Sequence, residues 1–380
     1  MKPSLSVLTL ASSVALASLC SLPTLAQDWQ GFNTAIQQGI EDRQQLMNDF
    51  FNDEAPHHHF KGWPSSRSHF MAIAQGNHLI SDKSNGGDSA WQDRHQHPHN
   101  QWNDLVWVGK PAGNWRYFVN FNLTEPELTI DEAHITLPLL PLTQFKLGQF
   151  YSGFGRLNSQ HPHDRDFIDT PMIYQRLFGD SSLLEKGVQL SVSPISNVMM
   201  AVEQLSAINQ DQFNLPDTAK PALTNVFARW NQRWSEQTYA LIGVSRAQGD
   251  SGDANGLKSS TQWSAVDFTL KQRLNNNRYW MLQAEYLERT SEQASSLNQQ
   301  GHYAMLLYRW HEQWRAGIRN ETAHSQVGNL SNTTRNALLI EYDANSWLRT
   351  RLQLGHEQQV KGVEGIYWLA GWQASFQWLH

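Results

Sequence analysis

A single cysteine in 380 residues leaves no disulfide framework and no multi-cysteine zinc or iron–sulfur site. Charge is scarce as well: Asp, Glu, Lys and Arg make up 17% of the chain, against roughly 25% in an ordinary soluble domain. Hydrophobic residues stop at 40% and the mean hydropathy is −0.54, which excludes a bundle of membrane-spanning helices. Beyond the first 26 residues no apolar run reaches the roughly 18 residues that one such helix needs. Uncharged polar residues and aromatics take up the difference, with 16 Trp, 16 Phe and 10 Tyr, too many for a disordered chain. A transmembrane β-barrel accommodates this mixture, because alternate residues of each strand face lipid and a watery lumen.

The N-terminus supplies the compartment. Lys2 precedes an apolar run from Leu5 to Leu19, and Ser21, Pro23 and Thr24-Leu25-Ala26 complete a secretory signal over residues 1–26. Cys20 falls inside it, so the mature chain is expected to lack cysteine. That mature chain has 28 basic and 35 acidic residues, a formal charge of −7, which argues against binding nucleic acid. Residues 27–66 form a second segment. Ile36, Ile40, Met47 and Phe51 recur at helical spacing over 31–52, and His57-His58-His59 with two prolines make a linker.

From Arg67 to His380 the hydrophobic period becomes two. It predicts strands at 67–79, 102–109, 115–123, 127–137, 143–150, 186–193, 197–206, 223–233, 237–247, 261–273, 278–289, 301–310, 313–322, 334–343, 347–357 and 365–378. Every second connection is a tight turn, such as 194–196 or 311–312; the others, among them 80–101, 151–185 and 207–222, are mostly long and polar. Outer-membrane barrels alternate short periplasmic turns with long extracellular loops in this way. The expected fold is therefore all-β, an antiparallel barrel of sixteen strands in the bacterial outer membrane, surrounded by lipid and inserted by the barrel assembly machinery.

Alternation assigns faces. Val226, Ala228 and Trp230 suit lipid, while Phe227, Arg229, Asn231 and Arg233 face the other way; Trp314, Ala316 and Ile318 oppose Arg315, Arg319 and Glu321. Trp234, Tyr279, Trp280, Trp310, Trp314 and Trp347 lie beside short turns, as an interfacial girdle would. A soluble sandwich would have to bury the repeated basic residues unpaired at high cost, whereas a barrel of this size has room for water.

The longest connection runs from Tyr151 to Glu185, too long for a featureless loop. Within 145–190, a strand ending in Gly148-Gln149-Phe150, the pair Phe154-Gly155, then Arg176, Phe178 and Gly187 resemble the phosphate-selective O/P-type porins. The resemblance implies a third extracellular loop folded inward to narrow a pore, in a homotrimer. The same stretch, FGRLN followed by HxH and FIDTP, also resembles zinc-associated outer-membrane porin-like proteins. Some of those are labelled TonB-dependent receptors, but 354 mature residues cannot hold a 22-stranded barrel and its plug. The loop has acidic and imidazole residues where the O/P type has a basic ladder, so anion selectivity does not carry over.

Three candidate sites follow. The constriction loop supplies Arg156, Asp164, Asp166 and Asp169, and the pore wall supplies Arg229, Arg233, Lys271, Arg273, Arg315, Arg319, Arg349 and Arg351. Opposed charges across a narrow lumen would orient dipolar solutes. The alternative for the loop acids is structural, with Asp166 and Asp169 satisfying backbone donors and Arg156 or Arg165 as partners. His161, His163 and Asp164 on the loop, and His95, His97 and His99 before the second strand, offer ligands for a weak zinc transit site. No cofactor is required. The expected function is a porin passing small hydrophilic solutes or metal ions, and not an enzyme. Its rivals are a surface-binding barrel with a blocked lumen, and a hydrolase pairing Ser152 or Ser159 with His161 or His163.

Overall fold

The computed structural model describes residues 68–379 apart from 85–100, 110–114, 125–126, 179–181, 207–222, 253–257, 292–297, 326–331 and 360–363 and the single positions 141, 196, 276 and 346. Sixteen strands follow one another: β1 Ser68–Ser84, β2 Gln101–Gly109, β3 Arg116–Thr124, β4 Glu127–Leu140, β5 Thr143–Tyr151, β6 Leu184–Ile195, β7 Val198–Leu205 and β8 Leu223–Arg233 form the first half. The second half is β9 Thr238–Gly252, β10 Lys258–Asn275, β11 Arg278–Ser291, β12 Gln299–His311, β13 Trp314–Ser325, β14 Asn332–Asn345, β15 Leu348–Gln359 and β16 Glu364–Leu379. Each pairs antiparallel with its sequence neighbour, and β1 closes on β16 through pairs such as Phe70↔Trp378. A closed ring leaves no unpaired edge, the condition for strands to cross a bilayer. All sixteen expected strands are present. Several extend further at the long-loop end, as in β1 to Ser84 and β9 to Gly252, because the hydrogen-bonded ladder continues where hydrophobic alternation has stopped. No described helix is long and apolar enough to cross a membrane. The single α-helix among the described residues is α1, Met172–Phe178.

The outer face is apolar over a continuous belt. Leu306, Ile318 and Leu338 are registered side by side on β12, β13 and β14 and are exposed at 41%, 53% and 53%. A belt of this kind around the barrel would drive association in water and is stable against lipid tails. Trp234, Trp314 and Trp347 are exposed near the short turns, and Trp310 stacks on Trp314 at 6.4 Å. Tyr279 departs from the expected girdle. It is buried and inward-facing, with Lys271 Nζ 4.4 Å from its ring centre, because the period of two groups it with Met281, Gln283 and Glu285.

Inside, charges are laid out in complementary rungs. Arg315 faces Glu341, Glu321 faces Arg335, Glu341 faces Arg351 and Arg335 faces Glu357 across adjacent strands, a favourable cross-strand arrangement. Ile318→Arg places a charge in the apolar belt and should cost about 2–4 kcal/mol in urea unfolding from liposomes. An unchanged transition would mean that this face does not meet lipid.

Candidate functional site: a third loop folded across the lumen

The connection from β5 to β6 enters the barrel. Its base is stapled by Ser152 N–H donating to Leu183 O at 2.9 Å and by Asn158, whose amide donates to Ser152 O at 2.8 Å and accepts from Leu183 N–H at 2.6 Å. Gly155 then turns with φ +69°, and a β-carbon there would lie 2.3 Å from the Tyr174 hydroxyl. Only glycine fits that turn without displacing the helix beneath it. Gly148 on β5 is a second such position, at φ +140° with a β-carbon site 2.1 Å from Ala133 O.

Apolar side chains fix the loop against one wall. Phe154, Ile173, Tyr174, Leu177 and Phe178 are buried in one cluster with Trp263, Leu287, Tyr303 and Leu307 of β10 to β12. Phe154 meets Phe178 edge-on at 5.5 Å. Burying such side chains stabilises by about 1.5–3 kcal/mol each, so the loop and β10 to β12 share a packed core.

Three wall carboxylates hold the loop by its backbone. Glu203 on β7 accepts from Ser152 Oγ at 2.5 Å and Gly153 N–H at 2.9 Å. Glu285 on β11 accepts from Leu157 N–H at 2.7 Å, Arg156 N–H at 3.2 Å, and the Tyr174 and Tyr303 hydroxyls at 2.6 Å each. Glu321 on β13 accepts from Met172 N–H at 2.6 Å, at the start of α1. Charged acceptors on free N–H groups are among the stronger hydrogen bonds. Opposite in sense, Arg229 donates to Gly153 O at 3.1 Å and Gly155 O at 2.9 Å.

The loop then reaches the far side of the ring, since β13 stands eight strands from β5. Asp169 is the contact point. Its carboxylate accepts from Arg319 at 2.5 Å, Arg335 at 3.1 Å, Gln353 at 2.6 Å and the Tyr367 hydroxyl at 2.7 Å, from four successive strands. Burial works against the charge, but Arg319 and Arg335 prevail and hold this carboxyl well below the usual carboxylate range. Asp166 pairs with Arg315, which also donates to Glu341 at 2.7 Å. Arg319 lies 4.5 Å over the Phe167 ring.

The near side of the loop carries imidazoles. His161 Nε2 is 2.7 Å from Glu132 Oε2, His134 Nε2 is 3.2 Å from Glu132 Oε1, and His163 Nδ1 is 2.9 Å from Asp104 Oδ2. His161 and His163 stack at 5.1 Å. Burial opposes protonation of His161, but contact with Glu132, with Asp164 and Asp104 nearby, outweighs it and raises its pKa to about 9.

Among the expected residues, Asp166 and Asp169 thus meet Arg315 and Arg319. Arg351 donates to the loop at Arg165 O, 3.0 Å away, and Arg349 lies by Glu341 and Asp343. Arg233 and Arg273 lie elsewhere, near the short turns, with their guanidinium carbons 5.5 and 5.7 Å from the centre of the Tyr239 ring. Arg156 contributes its backbone N–H, and its guanidinium is pulled down to about 10 by burial. The structural alternative for the loop acids placed their partners wrongly: wall arginines, not Arg156 or Arg165, bind Asp166 and Asp169. Arg165 donates instead to Thr170 and Ser182. His163 Nε2 is 3.6 Å from Asp164 Oδ1. Among the described residues no three His, Cys, Asp or Glu side chains form a group suited to a metal ion. His95, His97 and His99 and the 31–52 segment lie outside the described residues. Arg335, Glu203 and Tyr367 were missed, although strand alternation alone places all three inward.

Solved structures share this architecture. The anion-selective porin from Comamonas acidovorans superposes with a TM-score of 0.57 at 8% identity, covering 82% of this chain and 100% of that one. A loop L8 deletion form of OmpT, an outer membrane protein of Vibrio cholerae, gives 0.54 at 10% identity, covering 81% and 98%. The outer membrane channel DcaP of Acinetobacter baumannii gives 0.51 at 11% identity, covering 82% and 96%. The fold is that of outer-membrane porin barrels. An uncharacterized protein of Aquifex aeolicus is 29% identical over 282 residues, 63% of this chain; the chain spans 59% of that relative's length. No protein-family model matches the chain.

Asp169→Ala leaves Arg319 and Arg335 to Glu321 and Glu357 alone and removes the carboxylate that ties the loop to them, which should weaken loop docking by about 1–3 kcal/mol. The expected readout is faster trypsin cleavage at Arg165 or Arg176 in a barrel that remains folded. The His161–Glu132 contact should contribute fully below the ordinary imidazole pKa of 6.5 and be lost as pH rises through about 9. Cleavage should therefore accelerate across pH 9 in the wild type and show no such step in His161→Gln.

Proposed function

We propose that this chain is an outer-membrane porin, a passive channel for small hydrophilic solutes whose width is set by the 152–183 loop. The observation that carries this reading is the loop itself, bridging opposite walls of a sixteen-stranded barrel through Asp169. A wall lined with paired charges holds water and hydrated solutes on whichever side of the loop stays open. The loop follows the plan that the O/P-type resemblance implies, with its glycines and phenylalanines in structural positions, and without a basic ladder of its own. A homotrimer is the assembly we propose, on resemblance to OmpT of Vibrio cholerae, for which one structure is of a trimer form.

Zinc preference is the finer reading. His161 and His163 each spend a ring nitrogen on a wall carboxylate, which favours an anchoring role for the pair over a transit site. A metal preference would then fall to His95, His97 and His99. Catalysis finds little support: the Ser152 hydroxyl donates to Glu203 and that of Ser159 to Arg156 O at 2.8 Å, so neither is activated by imidazole. The second reading, a binding barrel with a blocked lumen, is favoured by the packed core between the loop and β10 to β12.

Planar bilayers separate these. Wild type should give small, stepwise conductance, Asp169→Ala a larger and noisier one, and the His161→Ala, His163→Ala double variant an unchanged block by zinc. No steps from folded protein in either the wild type or Asp169→Ala would remove the porin reading.

A further inference from the structure

A cavity of about 570 Å³ lies outside the lumen, at the short-turn end, between the β10–β11 and β12–β13 turns. Asn275, Asn277, Arg278, Trp310, His311 and Glu312 line it. Alternation places Arg278 on the outer face. Tyr279 pairs with Arg309 facing inward, and the outward neighbours are Trp280 paired with Tyr308. Arg278 is thus a cation beside Trp310, in the belt where amphipathic rings sit at headgroup level.

The rim is built from within. Buried Arg309 donates to the carbonyls of His311, at 3.3 Å, and Glu312, and is itself held by Asp343 at 2.7 Å. Asn277 Nδ2 donates to Glu312 Oε2 at 3.4 Å across the two turns. The turn carrying Glu312 is therefore fixed, while the side chains of Arg278, His311 and Glu312 are exposed. Arg278 makes no ion pair or side-chain hydrogen bond among the described residues. A planar guanidinium in this setting has its donors free for phosphate, and a carboxylate stands on the opposite lip. Cation, anion and indole in one pocket at the membrane surface match the phosphate, ammonium and glycerol of one molecule.

We propose that this pocket binds the headgroup of a zwitterionic glycerophospholipid from the leaflet at the short-turn end. Arg278 takes the phosphate, Glu312 the ammonium, and Trp310 the glycerol region. The assignment rests on the membrane-barrel reading but is independent of conduction, because these groups face away from the lumen.

Native mass spectrometry of the detergent-solubilised, folded barrel tests it, with dioleoyl phosphatidylethanolamine, dioleoyl phosphatidic acid, dioleoylglycerol, glycerophosphoethanolamine and inorganic phosphate as separate probes. Wild type should retain one phosphatidylethanolamine. Arg278→Gln should weaken retention of both phospholipids about tenfold, the loss of one good charge-assisted contact. Glu312→Gln should erase the preference for phosphatidylethanolamine over phosphatidic acid while keeping both bound. Arg278 is exposed at the start of β11 and Glu312 on an exposed turn, and heat-modifiable migration on SDS gels equal to wild type would confirm that both variants fold. Equal retention of phosphatidylethanolamine by Arg278→Gln and wild type would overturn the proposal. So would dioleoylglycerol retained as well as phosphatidylethanolamine. Inorganic phosphate or glycerophosphoethanolamine held as tightly as the intact lipid would also overturn it, showing a periplasm-facing anion site instead.

Discussion

One carboxylate facing two guanidiniums across a barrel is the constraint around which this lumen is organised. Ordering a loop of this length costs about 1–2 kcal/mol per residue in backbone entropy, so the segment cannot lie across a water-filled tube without specific attachment. Asp169 provides it at the far wall, where Arg319 and Arg335 would otherwise face each other with only Glu321 and Glu357 to balance them. The aromatic cluster supplies the apolar burial against β10 to β12, the strands that adjoin this wall. The cluster fixes α1 against β10 to β12, and Asp169 ties the preceding residues of the loop to β13 and β14.

The strands were legible because the lipid boundary enforces alternation on every one of them. Leu338 and Ile340 out, Leu339 and Glu341 in, is a pattern that chemistry on both sides of the wall repeats. The inward turn of the loop was legible through its length and through Gly155 and Phe154. What lay hidden was partner choice. Asp166 and Asp169 carry no local sign of whether they bind their own backbone, the neighbouring Arg165, or an arginine some 150 positions away. Tyr279 was misassigned for a related reason: a tyrosine beside a turn suits both the headgroup belt and a cation in the lumen, and only its position in the period of two decides. His161 and His163 had the spacing of ligands, but the acids that bind them, Glu132 and Asp104, belong to β4 and β2 and gave no signal in the loop sequence.

The two kinds of anchor place different demands on the sequence. Glu203, Glu285 and Glu321 bind mostly backbone N–H groups of the loop, so they require its path and little of its side-chain chemistry. The glycines and phenylalanines of the 148–187 stretch define that path: Gly148 and Gly155 by backbone geometry, Phe154 and Phe178 by packing. Asp166 and Asp169 bind side chains and require their partners by identity. A loop plan can therefore be shared between barrels that differ in every charge presented to a passing solute. The likeness in this stretch is accordingly one of path, and it does not extend to the arginines and carboxylates of β13 to β15 that the loop pairs through Asp166 and Asp169.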